Sequence, residues 1–164
     1  MRNVPPCNTF SFTSILRRNV PDAYACIKGN TAYPDLCGIV NFYKAPPGGV
    51  LVCAEVYGLP DTGTHNSSFY GMHIHEFGNC VPPFDKTGNH YNPGGSMHPY
   101  HAGDLPPLLG NSGYAWTVFF NARISIPDII GKSVVIHSRR DDFTSQPAGD
   151  SGDKIGCGVI YPFS

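Results

Sequence analysis

The stretch GMHIHEFGNC, residues 71 to 80, sets His73 and His75 on either side of one isoleucine. The run leading into it, SFYGMHIH, has the composition of a strand, and strand side chains two residues apart share a face. Both imidazoles can therefore converge on one point from a rigid element. His90, His98, His101 and His137 follow, so six of the seven histidines fall between residues 73 and 137. His98-x-x-His101-x-x-Asp104 offers two imidazoles and a carboxylate, and His90 adds a third imidazole. Three nitrogens and one oxygen suit a tetrahedral zinc ion. His73, His75 and His137 form an all-nitrogen group suited to Cu(II). Imidazole also binds Cu(I), so such a site can change redox state without losing its ligands. His90 stands between the two groups in sequence, and its two ring nitrogens could touch both metals. An H-x-H alone would be no more than the polar face of a half-exposed strand; the additional partners favour a metal centre.

Apolar, β-prone runs separated by Gly/Pro turns must position these residues. They are AYACIKG (23–29), LCGIVNFY (36–43), GVLVCAEVYG (49–58), SFYGMHIH (68–75), YAWTVFFNA (114–122), KSVVIH (132–137) and CGVIYPF (157–163). Short strands punctuated in this way predict an all-β sandwich or barrel. YKAPPGG reads as a hairpin turn, and ISIPDIIGK as a further strand or a short helical turn. Residues 76–113 and 138–156 read as two long loops, which in a compact domain usually carry function. Trp116 and the Phe119–Phe120 pair read as core or sheet-face packing, and His65 as a surface loop residue. Residues 1–21, with three prolines and no clear period, read as an N-terminal arm ahead of a single domain over 22–164.

Composition narrows the function class. At 164 residues with 14% charged side chains and a formal net charge of −1, the chain has no basic surplus for nucleic acid. No apolar run is long enough for a membrane-spanning helix. The first 21 residues lack a secretory apolar core, which favours a cytoplasmic protein. The six cysteines pull the other way, towards an oxidising compartment. Cys26, Cys37 and Cys53 fall in the first three predicted strands, where buried free thiols are the default and a second disulfide is possible. Cys7 lies in the arm, free or intermolecular.

GMHIHEFGNC, GNHYNP, HAGDLP, VVIH and GCGVIYP, in this order and spacing, resemble the copper–zinc superoxide dismutases, with bacterial-type features around Cys80 and QPAGDSG. The resemblance runs from about Ala23 to Pro162. It implies a flattened eight-stranded Greek-key β-barrel with the metals on its outer face under the two long loops. It implies copper ligands at His73, His75, His90 and His137, and zinc ligands at His90, His98, His101 and Asp104, with His90 as the bridge. Asp141 matches a carboxylate that tethers one ligand of each metal, and Cys80 and Cys157 match an intramolecular disulfide. The implied activity is dismutation of superoxide to dioxygen and hydrogen peroxide, in two half-reactions at copper, with His90 delivering a proton. Zinc would position His90 and order the loop.

The family's arginine three residues before the second disulfide cysteine is Lys154 here. It keeps the charge that would steer superoxide but not the planar fork. Arg139 and Arg140, in the same loop, could compensate. The chain would act as a monomer or homodimer. The alternative implied by the resemblance is a non-catalytic copper- or zinc-binding, chaperone-like relative. Chaperone-type relatives typically lose copper histidines, whereas all four are present.

Overall fold

The computed structural model of the protein describes residues 15–16, 20–46, 48–60 and 67–163. Among the described residues nine strands follow one another: β1 (Ala23–Gly29), β2 (Cys37–Lys44), β3 (Val50–Tyr57), β4 (Ser67–Tyr70), β5 (Met72–His75), β6 (Leu108–Asn111), β7 (Tyr114–Asn121), β8 (Ser133–His137) and β9 (Lys154–Pro162). They form one antiparallel sheet in the order β4-β6-β7-β3-β2-β1-β9-β8-β5. The ends of that order are neighbours in sequence, because β4 and β5 are a single run divided at Gly71. This run pairs with β6 before Gly71 and with β8 after it, so the sheet curls into a nearly closed, eight-element barrel. β3 and β4, consecutive among the strands, are separated in the sheet by β7 and β6, a Greek-key order.

Period-two burial fills the interior. Ala23, Ala25 and Ile27 of β1, Val40 and Phe42 of β2, Val52, Ala54 and Val56 of β3, and Met72 and Ile74 of β5 all join one apolar cluster. Fully burying an Ile, Val or Phe side chain is worth roughly 1.5–3 kcal/mol, so this alternation fixes the strand register. Because Met72 and Ile74 point inward, His73 and His75 must point to the opposite face. The same applies to β8, where Val134 and Ile136 enter the core.

Two elements depart from the sequence reading, the strand at Leu108–Asn111 and the start of the last strand. Leu108–Asn111, inside the expected 76–113 loop, is a strand paired with β4; its four residues follow two prolines and are too short to show a period. ISIPDIIGK takes the second of its two expected forms, a helical turn at Ile126–Ile129. The last strand starts at Lys154, three residues before the expected Cys157. Trp116 lies on the outer face of β7 at 57% exposure, with Phe120 also exposed, whereas Phe119 packs against the core. Cys26 and Cys37 are free and exposed and Cys53 is free and half-buried, so the expectation of burial fails for the first two. Cys7 and His65 lie outside the described residues, as does most of the arm.

Cys80 and Cys157 are disulfide-bonded across 77 residues. The bridge packs with Phe84 and Val135 and pins the start of the long loop to β9. A chain-entropy estimate for a span of 77 residues gives about 4.5 kcal/mol, and measured bridges more often give roughly 2–4 kcal/mol. Cys157→Ser is therefore expected to lower the unfolding free energy by roughly 2–4 kcal/mol in a urea titration of the metal-free protein. Equal stability of the two proteins would contradict this assignment.

Candidate metal centre

His73 and His75 stand on β5, and His137 ends β8, the strand paired with it. The rest of the site comes from the long loop, which runs back alongside β5 as if it were another strand. Ile74 N donates to Gly103 O, Tyr91 N to Ile74 O and Gly103 N to Tyr91 O, each at 2.8 Å. These bonds set His75 beside His90 and His73 beside Asp104. Gly103 is needed for this approach, since a Cβ there would lie 2.3 Å from Ile74 O.

Two donor sets result, each with its ligand atoms within 4.8 Å of one another: His73, His75, His90 and His137, and His90, His98, His101 and Asp104. All seven residues are buried. His90 belongs to both sets, and its ring stacks on that of His73 with centroids 3.9 Å apart. Every sequence-predicted ligand is therefore brought together.

The outward-facing ring nitrogens fix the tautomers. His75 Nδ1 donates to Gly88 O at 2.9 Å, and His137 Nδ1 donates to Gly152 O at 3.2 Å. A carbonyl only accepts, so the Nε2 atoms keep their lone pairs and face each other at 3.4 Å. His73 Nε2 and His98 Nε2 donate to the two oxygens of Asp141, at 2.8 and 2.9 Å. Asp141 also accepts from Phe143 N at 2.7 Å. One carboxylate thus aims one histidine of each set, the outer-shell arrangement typical of metal-bound imidazoles. The inward atoms His73 Nδ1, His90 Nε2, His98 Nδ1 and His101 Nδ1 are buried without hydrogen-bond partners. Orphaned nitrogens at such depth are costly unless a cation takes their lone pairs. On the second side, Asp104 Oδ1 lies 2.7 Å from His90 Nδ1, while Oδ2 lies 3.2 and 3.3 Å from His98 Nδ1 and His101 Nδ1.

Burial holds His73, His75 and His137 neutral. It lowers His73 to about 4, helped by the neighbouring His90 and opposed by Asp141. His137 falls to about 3 through burial and the adjacent His73, and His75 lies well below its usual value through burial and His137. Neutral imidazole is the ligating form, so these residues are ready to bind metal at neutral pH. Burial would raise Asp141, but its bonds from His73, Phe143 and His98 outweigh that and bring it down to about 2. Asp104 is lowered in the same sense by His90 and its neighbours, against burial.

The first set opens into a cleft of about 530 Å3 lined by His75, His90, His137 and Lys154 among others; His73 is fully buried and outside the lining. Lys154 Nζ donates to Thr87 Oγ1 at 2.8 Å and to Gly88 O at 3.1 Å. It therefore shares with His75 the carbonyl that orients that imidazole. Arg139 does not line the cleft; it pairs with Asp150 at 3.0 Å on the surface. Arg140 is exposed and also outside the lining. The expected compensation by these two arginines is thus not supported by their placement.

Several supports had no signature in the sequence reading. The Gly88 and Gly152 carbonyls are main-chain groups, which any residue could supply. Gln146 clamps the two loops, accepting from His98 N at 3.0 Å and donating to His98 O at 2.8 Å; only its place in QPAGDSG hinted at it. Arg123 donates to the carbonyls of Pro99 and Asp104 from outside the loop. Gly149, at φ 67°, presses on the tether: a Cβ would lie 2.0 Å from Asp141 Oδ1 and 2.7 Å from His98 Nε2. Gly149→Ala is expected to weaken zinc binding about 10- to 100-fold, the usual effect of disturbing an outer-shell partner. Chelator competition checks this, and parent-like affinity would show that the loop yields without moving Asp141.

Comparison with known proteins agrees with this geometry. Residues 36–160 match the sequence profile of copper/zinc superoxide dismutase. A superoxide dismutase [Cu-Zn] of Deinococcus radiodurans is 35% identical over 140 residues, covering 72% of this chain and 74% of that protein. An extracellular superoxide dismutase [Cu-Zn] of Mus musculus is 34% identical over 140 residues, 77% of this chain; the match spans only 54% of the mouse protein's length. Among solved structures, a SOD-like protein from Bacillus subtilis superposes with a TM-score of 0.71 at 25% identity, covering 84% of this chain and 96% of the other.

Proposed function

The chain belongs to the copper/zinc superoxide dismutase family, and from that starting point we propose that it catalyses dismutation of superoxide, with His73, His75, His90 and His137 holding copper and His90, His98, His101 and Asp104 holding zinc. The observation that carries the reading is the pair of complete donor sets sharing His90, with orphaned buried nitrogens on both sides. The net reaction converts two superoxide anions and two protons into dioxygen and hydrogen peroxide. Copper supplies one-electron exchange between Cu(II) and Cu(I), and zinc supplies fixed charge and geometry without redox chemistry.

The protein's own residues do the rest. Asp141 and the Gly88 and Gly152 carbonyls hold His73, His75 and His137 in one tautomer, so these three ligands would stay fixed through electron exchange. Two nitrogens of the first donor set are orphaned, and of these His90 Nε2 belongs to the residue that lines the cleft, while His73 is outside the lining. It is the place where a proton can be held beside the substrate and passed to the reduced anion. Lys154 supplies positive charge at the cleft and attracts the small anion.

Lys154→Gln is expected to lower the superoxide rate constant about tenfold at low salt, the low end of electrostatic steering, and to flatten its ionic-strength dependence. Copper affinity, measured in parallel, separates this from disturbance of the shared Gly88 carbonyl. For the reading as a whole, the loaded protein should yield one hydrogen peroxide for every two superoxide anions consumed. Any other stoichiometry would rule out dismutation.

A further inference from the structure

Lys154 stands between two clefts. One is the metal cleft, with His75, His90 and His137 in its lining. The other, of about 470 Å3, is lined by Asn30, Tyr33, Asp85 and Asp153 among others. An amine on a flexible four-carbon stem can serve either side. Burial lowers the pKa of this amine, and Asp85, on the second side, opposes that by attracting its charge. Yet both bonds of Nζ lead towards the metal cleft. Gly88, which accepts one of them, lines that cleft and orients His75. Thr87, which accepts the other, has its Oγ1 3.4 Å from His75 Nδ1.

We propose that Thr87 is a positioning residue for the anionic substrate: its hydroxyl holds the Lys154 amine on the metal-cleft side, away from Asp85 and Asp153. The inference rests on the dismutase reading above. Thr87 ends the short helical turn Asp85–Thr87 and is fully buried. Its hydroxyl donates to Phe84 O at 2.8 Å, so its one proton is committed and its lone pairs are left for other donors. Phe84 is buried in turn and packs with Val135 and the Cys80–Cys157 bridge. A β-branched side chain has little freedom at χ1, so Oγ1 is an acceptor held in place from the core. The bond to it from Lys154 Nζ, at 2.8 Å, is shorter than the 3.1 Å bond to Gly88 O, which already accepts from His75 Nδ1 at 2.9 Å. An ammonium carries three donors; these two bonds leave the third for an anion in the cleft. Without the hydroxyl only the shared carbonyl holds the amine on this side. Turned towards Asp85 and Asp153, its charge would be masked by carboxylates.

The test is a double-mutant cycle on the full chain loaded with copper and zinc: the parent, Thr87→Val, Lys154→Gln and the two combined, with Thr87→Ser as the conservative variant. Three quantities are read: the superoxide rate constant at low and high salt, the affinity for azide as a small-anion probe, and the rate at which an amine-reactive ester labels Lys154, followed by peptide mass spectrometry. Thr87→Val should lower the rate constant about three- to tenfold at low salt, no further than Lys154→Gln does, and flatten its salt dependence. It should weaken azide binding by a similar factor and speed the labelling of Lys154. Thr87→Ser, which keeps the hydroxyl, should match the parent in all three. In the Lys154→Gln background Thr87→Val should cost nothing more. An equal loss in that background would overturn the proposal, because Thr87 would then act through His75 or the fold. Parent-like azide affinity and labelling in Thr87→Val would overturn it as well. Background superoxide decay in every protein would overturn the dismutase reading alone, and azide affinity and labelling would still decide for or against Thr87.

Discussion

His90→Ala is expected to disable both metal sites at once. His90 is the one residue common to the two donor sets, so its loss leaves each with three ligands. A structural zinc site is worth roughly 10–16 kcal/mol in all, so one ligand of four represents roughly 3 kcal/mol. At 1.4 kcal/mol per decade that is about a 100-fold loss of zinc affinity. Superoxide decay by the loaded protein should fall to the uncatalysed background, because the cleft-side nitrogen that can hold a proton is gone as well. Zinc affinity by chelator competition and decay of a superoxide pulse check the two halves separately. Parent-like zinc affinity in His90→Ala would mean that the nitrogen facing Asp104 is not a ligand.

Asp141→Asn should weaken both sites together, although Asp141 belongs to neither donor set. Its two oxygens accept from His73 Nε2 and His98 Nε2, one from each set. An asparagine can still accept one of those bonds, but its NH2 must face the other N–H, donor against donor. That conflict either rotates one imidazole or flips its tautomer, turning a protonated nitrogen towards the metal. Losing an outer-shell partner typically costs 10- to 100-fold in metal affinity. The expected result is a loss of that size for copper and for zinc in the same variant. A loss confined to one metal would show that the carboxylate does not link the two sites.

What could be read from the sequence follows from which groups carry the information. His73 and His75 were legible because period-two alternation forces both onto one face once Met72 and Ile74 are committed to the core. The loop histidines and Asp104 were legible because side-chain ligands have a residue signature. The groups that orient them were mostly not, since Gly88 O and Gly152 O belong to the backbone, and only folding determines which carbonyl meets which ring. Strand β6 was missed because four residues after a proline pair show no period of their own; its pairing with β4 makes it a strand. Trp116 shows the same limit: its β-prone neighbours placed it on a strand correctly, but the choice of face depends on the register with β3. The two arginines of SRRDD illustrate the reverse error, in which proximity in sequence suggested a role that the outward turn of Arg139 towards Asp150 does not support.

The central claim, that copper in this shared-histidine centre turns over superoxide, is tested most directly by loading the protein in parallel with zinc alone and with copper plus zinc. Metal content is verified in each sample before a superoxide pulse is followed. The account predicts background decay with zinc alone and catalysed decay with both metals, lost again in His73→Ala. Background decay from a protein shown to carry its full copper and zinc would contradict it, leaving a fold that binds these metals without turning over superoxide.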